Sequence, residues 1–178
     1  MTGWHDALRH YRRIPLEGGL AKNPRRVMFV LCSESYAAAA VAAACEPALV
    51  HQAFGGARNP GDEATRATFE YAILKKGVRD VVVCGHDGCQ AVTTHGADSR
   101  RATRSAVVSQ CVGLREDEHI GPLLREHRVA LRPIWFDAPE GDIFLCNLEN
   151  EAVKLMGDDD FATMIGAEGS ERRAHSLS

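Results

Sequence analysis

The sequence lacks the features that mark membrane proteins and nucleic-acid-binding proteins. No stretch approaches the roughly 20 apolar residues that a membrane-spanning helix needs, and the N-terminal residues contain no apolar core of signal-peptide length. Neither sign of charge dominates, since 21 lysines and arginines face 24 aspartates and glutamates and the net charge is −3. This balance favours neither nucleic acid nor an anionic membrane as a partner. The expected compartment is the cytoplasm.

The sequence also has no internal repeat, no low-complexity segment and no stretch with the composition of a domain linker. A chain of 178 residues, of which 45% are hydrophobic and 25% charged, has the composition of one globular domain. We therefore expect a single domain over 1–178. Its six cysteines, without a secretion signal, favour reduced thiols and metal ligands over a disulfide framework.

Two apolar runs end on residues that bind metals. The run at 80–84 is rich in β-branched residues and free of charge after its first position, as expected of a strand buried on both faces of a parallel sheet. A glycine ends it, and His86 and Cys89 follow in the next loop. An earlier run at 26–32 stops on Cys32. Functional groups gather outside the carboxyl ends of parallel strands, so these three side chains are expected to converge as a zinc site.

The remaining elements are predicted from turn residues and from the spacing of apolar positions. A helix between consecutive apolar strands is the βαβ pattern, which predicts an α/β fold with a mostly parallel central sheet flanked by helices. The turn at 137–141 suits a hairpin, so the last strand is expected to be antiparallel and to lie at the sheet edge. We expect an N-terminal arm over 1–25, a flexible tail over 168–178, helices over 36–45, 62–74, 103–114 and 118–127, and strands over 48–52, 130–135 and 142–146.

Thiolate and imidazole ligands bind zinc tetrahedrally, and a catalytic zinc site keeps one position for water. Cys32, His86 and Cys89 would leave one such position. Zinc lowers the pKa of bound water from 15.7 towards about 7, but two thiolates offset the charge of the ion and weaken it as a Lewis acid. The water would then need a nearby proton acceptor. Glu34, two residues after Cys32, is the candidate.

Each of these residues also has a purely structural interpretation. A His-x-x-Cys pair alone is compatible with a loop histidine and a buried cysteine that packs as a small apolar residue. The third cysteine, at the end of another strand, shifts the balance to a metal. Catalysis by a cysteine nucleophile is a further option, but two cysteines that converge on one histidine suit a metal better. Glu34 is also explained as a carboxylate at the start of a helix, where the helix dipole favours negative charge.

Two motifs together resemble the β-class carbonic anhydrases. Family members carry Cys-x-Asp-x-Arg after the first strand and, further along the chain, a strand that ends in Gly-His-x-x-Cys-Gly. The corresponding segments here are Cys32-Ser33-Glu34-Ser35-Tyr36 and Gly85-His86-Asp87-Gly88-Cys89-Gln90. In addition, 62–72 resembles the family helix before that strand, and 131–146 resembles the closing strands. The resemblance covers most of the chain.

This resemblance implies a sheet of four parallel strands plus an antiparallel edge strand. It implies Zn²⁺ as the cofactor, with Cys32, His86 and Cys89 as its ligands. It also implies an obligate homodimer, or a dimer of dimers, in which the N-terminal arm embraces the partner and the active site lies at the interface. Hydration of carbon dioxide, a small-molecule substrate, is the activity that follows.

The chain departs from the family around the predicted metal ligands. In the family the Asp accepts a hydrogen bond from zinc-bound water and the Arg holds that Asp off the metal, whereas here Glu34 and Tyr36 replace them. Tyrosine is neutral at pH 7, and Asp87 stands where the family commonly has Ser or Thr, so the pocket is about two charge units more negative. Such a pocket should bind bicarbonate poorly. The family's Arg-Asn-Ala-Gly-Asn segment appears only as Gln52-Ala53-Phe54-Gly55-Gly56.

Two classes of function follow. The first is a zinc enzyme in which zinc hydroxide attacks a small electrophilic carbon, with carbon dioxide as the default substrate and a neutral analogue or small hydrolysable compound as the diverged one. Glu34, Tyr36 and Asp87 are its candidate catalytic residues, although Tyr36 and Asp87 are equally compatible with surface positions. The second is a catalytically retired fold, in which Glu34, without an arginine to restrain it, closes a structural zinc site. Such a protein would serve as a binding or regulatory subunit.

Overall fold

The computed structural model describes residues 26–35, 49–57, 59–92, 99–137, 139–150 and 152–157. The predicted arm over 1–25, the helix over 36–45 and the tail over 168–178 lie outside these residues. Tyr36 lies outside them as well.

Over 49–137, helices separate the successive strands, as the βαβ pattern predicts. A π-helical stretch, Tyr71–Lys75, directly continues the first helix. The elements in chain order are β1 (Val27–Cys32), β2 (Leu49–Ala53), α1 (Glu63–Glu70), β3 (Asp80–His86), α2 (Ser99–Glu116), α3 (Ile120–Glu126), β4 (Ala130–Asp137), β5 (Asp142–Cys146) and β6 (Val153–Leu155). Within these ranges, no helix combines the length and the apolar character that crossing a bilayer requires.

The strands of the described residues form one six-stranded sheet in the order β2-β1-β3-β4-β5-β6. The first four strands in this order are parallel, and β5 and β6 are antiparallel to their neighbours. The predicted α/β fold with a mostly parallel, helix-flanked sheet is therefore confirmed.

The prediction that β5 lies at the sheet edge is wrong, because β6 pairs with it. β6 has only three residues, two of them exposed, so it carries no apolar pattern that sequence could reveal. The turn before β6 does have a local cause. The Asn147 side chain accepts hydrogen bonds from the N–H groups of Glu149 and Asn150, and Asn147 N–H donates to the Ala152 carbonyl at 2.8 Å.

The central strands β1 and β3 are buried along almost their whole length, because other elements cover them on both sides. Their register pairs Leu31 with Cys84, so the two strands end at the same edge of the sheet. That edge is where Cys32 and His86 lie. The backbone pairing of two apolar runs thus brings together residues that are far apart in sequence.

Helix α2 packs closely against β3 next to this edge. A Cβ atom added to Gly85 would lie 2.1 Å from Val107 Cγ2 and 3.4 Å from the Thr103 carbonyl oxygen, so only glycine allows the helix to approach this far. Trp135 on β4 fixes the same turn of the helix, because its indole N–H donates to Thr103 Oγ1 at 3.0 Å. The amino end of α2 is therefore held beside the loop that follows β3.

Helix α1 begins at the start of the helix predicted over 62–74. The Asp62 carboxylate accepts a hydrogen bond from Thr65 N–H at 3.0 Å, which satisfies one of the free donors of the first turn. The helix packs Phe69 against His51 of β2, with ring centroids 6.5 Å apart. This contact joins the βαβ crossover to the strand beside β1.

Candidate metal centre

Four side chains from the ends of β1 and β3 meet at the carboxyl edge of the parallel strands. One potential ligand atom from each of Cys32, Glu34, His86 and Cys89 lies within 4.8 Å of the others. We refer to these residues as the ligand group. Cys32, His86 and Cys89 are buried and Glu34 is half-buried. The convergence predicted from the two strand ends is therefore present, and Glu34 belongs to it.

The two sulfur atoms are spaced as a tetrahedral zinc site requires. Neither cysteine forms a disulfide, and Cys32 Sγ lies 3.7 Å from Cys89 Sγ. Two thiolates bound tetrahedrally to one zinc at about 2.3 Å are about 3.8 Å apart. A disulfide would bring them to about 2.05 Å. The observed spacing matches two thiolates on one ion.

The His86 ring is oriented for coordination through Nε2. Its Nδ1 lies 2.8 Å from the Asp87 carbonyl oxygen. That carbonyl is only an acceptor, so Nδ1 carries the proton and Nε2 carries the lone pair. Nε2 is buried and has no hydrogen-bond partner among the described residues. A buried acceptor without a partner is costly, and a metal ion would satisfy it.

Among the described residues, the groups that act on the pKa of the Cys89 thiol supply no positive charge. Burial raises the pKa of the Cys89 thiol to about 11, and nearby Cys32 and Glu34 contribute to the increase. Thiolates are the form that binds metals, so a divalent cation would supply the missing charge and displace the thiol proton. The donor set of two thiols, one imidazole and one carboxylate therefore fits zinc.

Backbone N–H groups hold the two side chains at the end of β1, Cys32 and Glu34. Gly55 N–H donates to Cys32 Sγ at 3.3 Å, and Gln90 N–H donates to Glu34 Oε2 at 2.9 Å. Glu34 Oε2 also lies 3.9 Å from Cys32 Sγ. One carboxylate oxygen of Glu34 is thus fixed by a backbone donor from the opposite loop. This contact restrains Glu34 without an arginine.

A scan against protein-family models matches residues 27–117 to the carbonic anhydrase family, and this range contains the whole ligand group. The chain belongs to the β-carbonic anhydrase family. Among curated proteins, no significant match to the chain is found.

Solved structures of β-carbonic anhydrases share the fold. Wild-type CafD of Aspergillus fumigatus superposes with a TM-score of 0.61 at 16% identity, covering 72% of this chain and 94% of CafD. A tetrameric enzyme of Sordaria macrospora gives 0.56 at 19% identity, with coverage of 86% and 90%. The Coccomyxa enzyme in complex with acetazolamide gives 0.58 at 14% identity, with coverage of 91% and 87%.

The Asp87 side chain does not join the ligand group. Its carboxylate accepts a hydrogen bond from Ser99 Oγ at 3.3 Å and lies 4.0 Å from Arg100 Nε. The Arg100 guanidinium also pairs with Asp137, so it offsets the negative charge predicted at Asp87 only in part. Tyr36, the other residue on which the charge argument rested, lies outside the described residues.

Sequence reasoning missed Arg100 and Asp137. Arg100 forms two contacts with the Asp137 carboxylate, at 3.0 and 3.3 Å. Asp137 ends β4 just as Cys32 and His86 end β1 and β3. The same rule about the carboxyl ends of parallel strands would have placed it at this edge. Arg100 carries no comparable signal.

The segment that replaces the family's Arg-Asn-Ala-Gly-Asn supports the site through its backbone. Gly55 and Gly56 have φ angles of +81° and +72°, which glycine adopts without strain. This turn aims Gly55 N–H at Cys32. Gln110 of α2 closes the turn, because its Oε1 accepts a hydrogen bond from Ala57 N–H at 2.8 Å.

Proposed function

We propose that this β-carbonic anhydrase family member is a zinc enzyme that adds water to a small electrophilic carbon, with carbon dioxide as the default substrate. The observation that carries the proposal is the ligand group, whose potential ligand atoms lie within 4.8 Å of one another. It lies inside the segment that matches the family. The alternative is a diverged substrate, either a neutral analogue of carbon dioxide or a small hydrolysable compound.

Cys32, His86 and Cys89 would hold the zinc ion. When bound, zinc supplies acidity, because it brings the pKa of a coordinated water close to neutral. The spacing of the two sulfurs and the free, buried His86 Nε2 support these three residues as ligands. Two thiolate ligands would weaken zinc as a Lewis acid, so a nearby carboxylate that takes a proton would assist the reaction.

Glu34 would be the proton acceptor of the reaction. Its Oε2 is fixed by Gln90 N–H, which leaves Oε1 to accept a hydrogen bond from the attacking water. Two thiolates and this carboxylate make the site unfavourable for an anion. We therefore expect carbon dioxide, which is neutral, to be accepted more readily than bicarbonate.

A second candidate function is a retired enzyme with a structural zinc site. It is favoured by one observation, which is that a Glu34 oxygen already lies within the ligand group. A small movement of this carboxylate would fill the fourth coordination position and exclude water. The protein would then act as a binding or regulatory subunit.

The protein is further proposed to be a homodimer or a dimer of dimers, with the arm over 1–25 embracing the partner. The tetrameric enzymes of Sordaria macrospora support this assembly. We also propose a cytoplasmic location, where the described cysteines, none of which forms a disulfide, stay reduced.

Stopped-flow measurement of carbon dioxide hydration by the zinc-loaded protein, with metal content determined on the same sample, tests the proposal. The expected result is hydration above the buffer rate in proportion to bound zinc, with inhibition by a sulfonamide such as acetazolamide. Stoichiometric zinc without hydration or inhibition would support the retired enzyme.

The double variant Glu34→Asp with Tyr36→Arg restores the family's residues. It should raise the hydration rate if the altered pair suppresses it. If the rate does not rise, the replaced segment at 52–56 becomes the explanation.

A further inference from the structure

A network of side chains links the loop after β3 to α2 and to the end of β4. The Arg100 guanidinium holds the Asp137 carboxylate by two contacts, at 3.0 Å and 3.3 Å, and reaches Asp87 Oδ2 at 4.0 Å. Ser99 Oγ donates to Asp87 Oδ1 at 3.3 Å. The Asp137 side chain is only 4% exposed, whereas that of Arg100 is 45% exposed. A two-pronged pair with a buried carboxylate fixes geometry better than an exposed pair does.

The network ends at a backbone group that contacts the His86 ring. Asp87 is held through its carboxylate by Ser99 and Arg100, and through its N–H by the Phe136 carbonyl at 3.0 Å. Its own carbonyl oxygen is then in place for His86 Nδ1, 2.8 Å away. This contact selects the tautomer in which Nε2 has a lone pair and points the ring at the two sulfurs.

The approach of α2 to β3 makes this network possible. Gly85 leaves no room for a side chain between the strand and Val107, so the first residues of α2 reach the loop after His86. The positive end of the helix dipole also favours the Asp87 carboxylate at this position. The helix therefore acts on the metal side of the sheet without supplying a ligand.

We propose that Arg100 and Asp137 are positioning residues of the metal site, which hold Asp87 so that its carbonyl orients His86 for coordination through Nε2. The inference rests on the proposed zinc site. Neither residue needs to touch zinc or substrate. Asp87 then has a positioning role as well.

The test compares the full-length wild-type protein with Arg100→Leu, Arg100→Lys and Arg115→Leu. The last variant removes the same charge from the last turn of α2 and serves as the matched control. Zinc affinity is measured by competition with a chromophoric chelator. The His86 tautomer is measured in the metal-free protein by ¹⁵N NMR, with the signal assigned from its absence in His86→Gln.

Arg100→Leu should weaken zinc binding about 10- to 100-fold, the range typical of residues that support metal ligands. It should also convert His86 from the Nδ1–H form to a mixture of tautomers. Arg100→Lys should retain part of the zinc affinity and part of the Nδ1–H form. Lysine keeps the positive charge but cannot form the two-contact pair with Asp137. Arg115→Leu should match the wild type. If Arg100→Leu changes neither the zinc affinity nor the His86 tautomer, the proposal is overturned. That is the result expected of an ion pair with a purely structural role.

If Arg100→Leu does not fold, Asp87→Asn provides the same test. It keeps the Ser99 hydrogen bond and removes only the ion pair, so a smaller change in the same direction is expected and no change contradicts the proposal. A wild-type protein that takes up no zinc would refute the proposed function. The tautomer of the metal-free protein would still decide the positioning role of Arg100.

Discussion

The two halves of the candidate metal centre are held by different kinds of contact. On the β1 side, backbone N–H groups of Gly55 and Gln90 bind Cys32 and Glu34. On the β3 side, His86 depends on the Asp87 carbonyl, which side chains of α2 and β4 hold in turn. One half is thus anchored by backbone N–H groups, and the other by particular side chains.

This difference predicts unequal sensitivity to mutation. Most substitutions at Gln90 would leave its N–H in place, so the β1 side should tolerate them. On the β3 side, replacement of Ser99, Arg100 or Asp137 should disturb the orientation of the His86 ring. This difference in sensitivity does not extend to the ligand residues, because loss of any ligand atom weakens the whole site.

The largest expected effect is the loss of a ligand. Cys32→Ser and Cys89→Ser should each weaken zinc binding by more than the about 100-fold that loss of a supporting residue costs. The zinc content of purified protein and chelator competition measure this. Cys111→Ala, which removes a buried thiol in α2 away from the ligand group, should keep zinc binding. Wild-type affinity in either serine variant would remove that cysteine from the site.

The next effect concerns Glu34 on the β1 side. A variant of this residue distinguishes a role in catalysis from a role in zinc binding. Glu34→Gln keeps an oxygen for Gln90 N–H but cannot take a proton. It should lower carbon dioxide hydration by about 10²- to 10⁴-fold and change zinc affinity little. Steady-state hydration rates and chelator competition on the same samples give both values. A large loss of zinc affinity would instead identify Glu34 as a ligand.

A third prediction concerns the β3 side and the packing of α2 against β3. Gly85→Ala would place a Cβ atom 2.1 Å from Val107 Cγ2, so α2 must shift away from β3. The free energy of unfolding, measured by chemical denaturation, should fall by about 1–3 kcal/mol, and zinc affinity should fall with it. The double variant with Val107→Ala should recover part of both. Full stability in Gly85→Ala alone would contradict the close approach of the helix.

The smallest expected effect is a pH dependence beside the β1 half. Burial lowers the pKa of His51, and the charge of Asp62 partly opposes this. The folded state therefore favours neutral His51. Its contribution to stability is complete above 6.5, the ordinary pKa of a histidine, and is lost as pH falls through the lowered pKa of the folded state.

The His51→Leu variant should lose less stability than the wild type as the pH falls below 6.5. Denaturation curves across that range measure the difference. His119→Gln, which replaces a histidine whose side chain is 53% exposed, should keep the wild-type slope. If the stability of wild type and His51→Leu depends on pH in the same way, the lowered pKa of His51 is refuted.

The parts of the fold that sequence predicts are those whose burial leaves a continuous pattern. β1 and β3 are apolar because helices and strands enclose them, and their ends revealed Cys32, His86 and Cys89. β6 could not be found, because three residues at an edge, two of them exposed, leave no pattern.

Arg100 and Asp137 lie 37 positions apart and form a pair only after the sheet and α2 are assembled. Asp137 follows the same strand-end rule as the ligands, so it was within reach of sequence reasoning. Arg100 was not, because an arginine in the first turn of a polar helix looks like any solvated side chain. Backbone donors such as Gln90 N–H are invisible in principle, since the residue type does not encode them.

X-ray absorption at the zinc edge of the zinc-loaded full-length protein tests the central claim most directly. We expect one zinc ion per chain, with two sulfur atoms at about 2.3 Å and nitrogen or oxygen atoms at about 2.0–2.2 Å. Cys32→Ser and Cys89→Ser should each remove sulfur from this shell. A zinc ion with no sulfur neighbours, or no stoichiometric zinc after loading, would contradict the proposed metal centre.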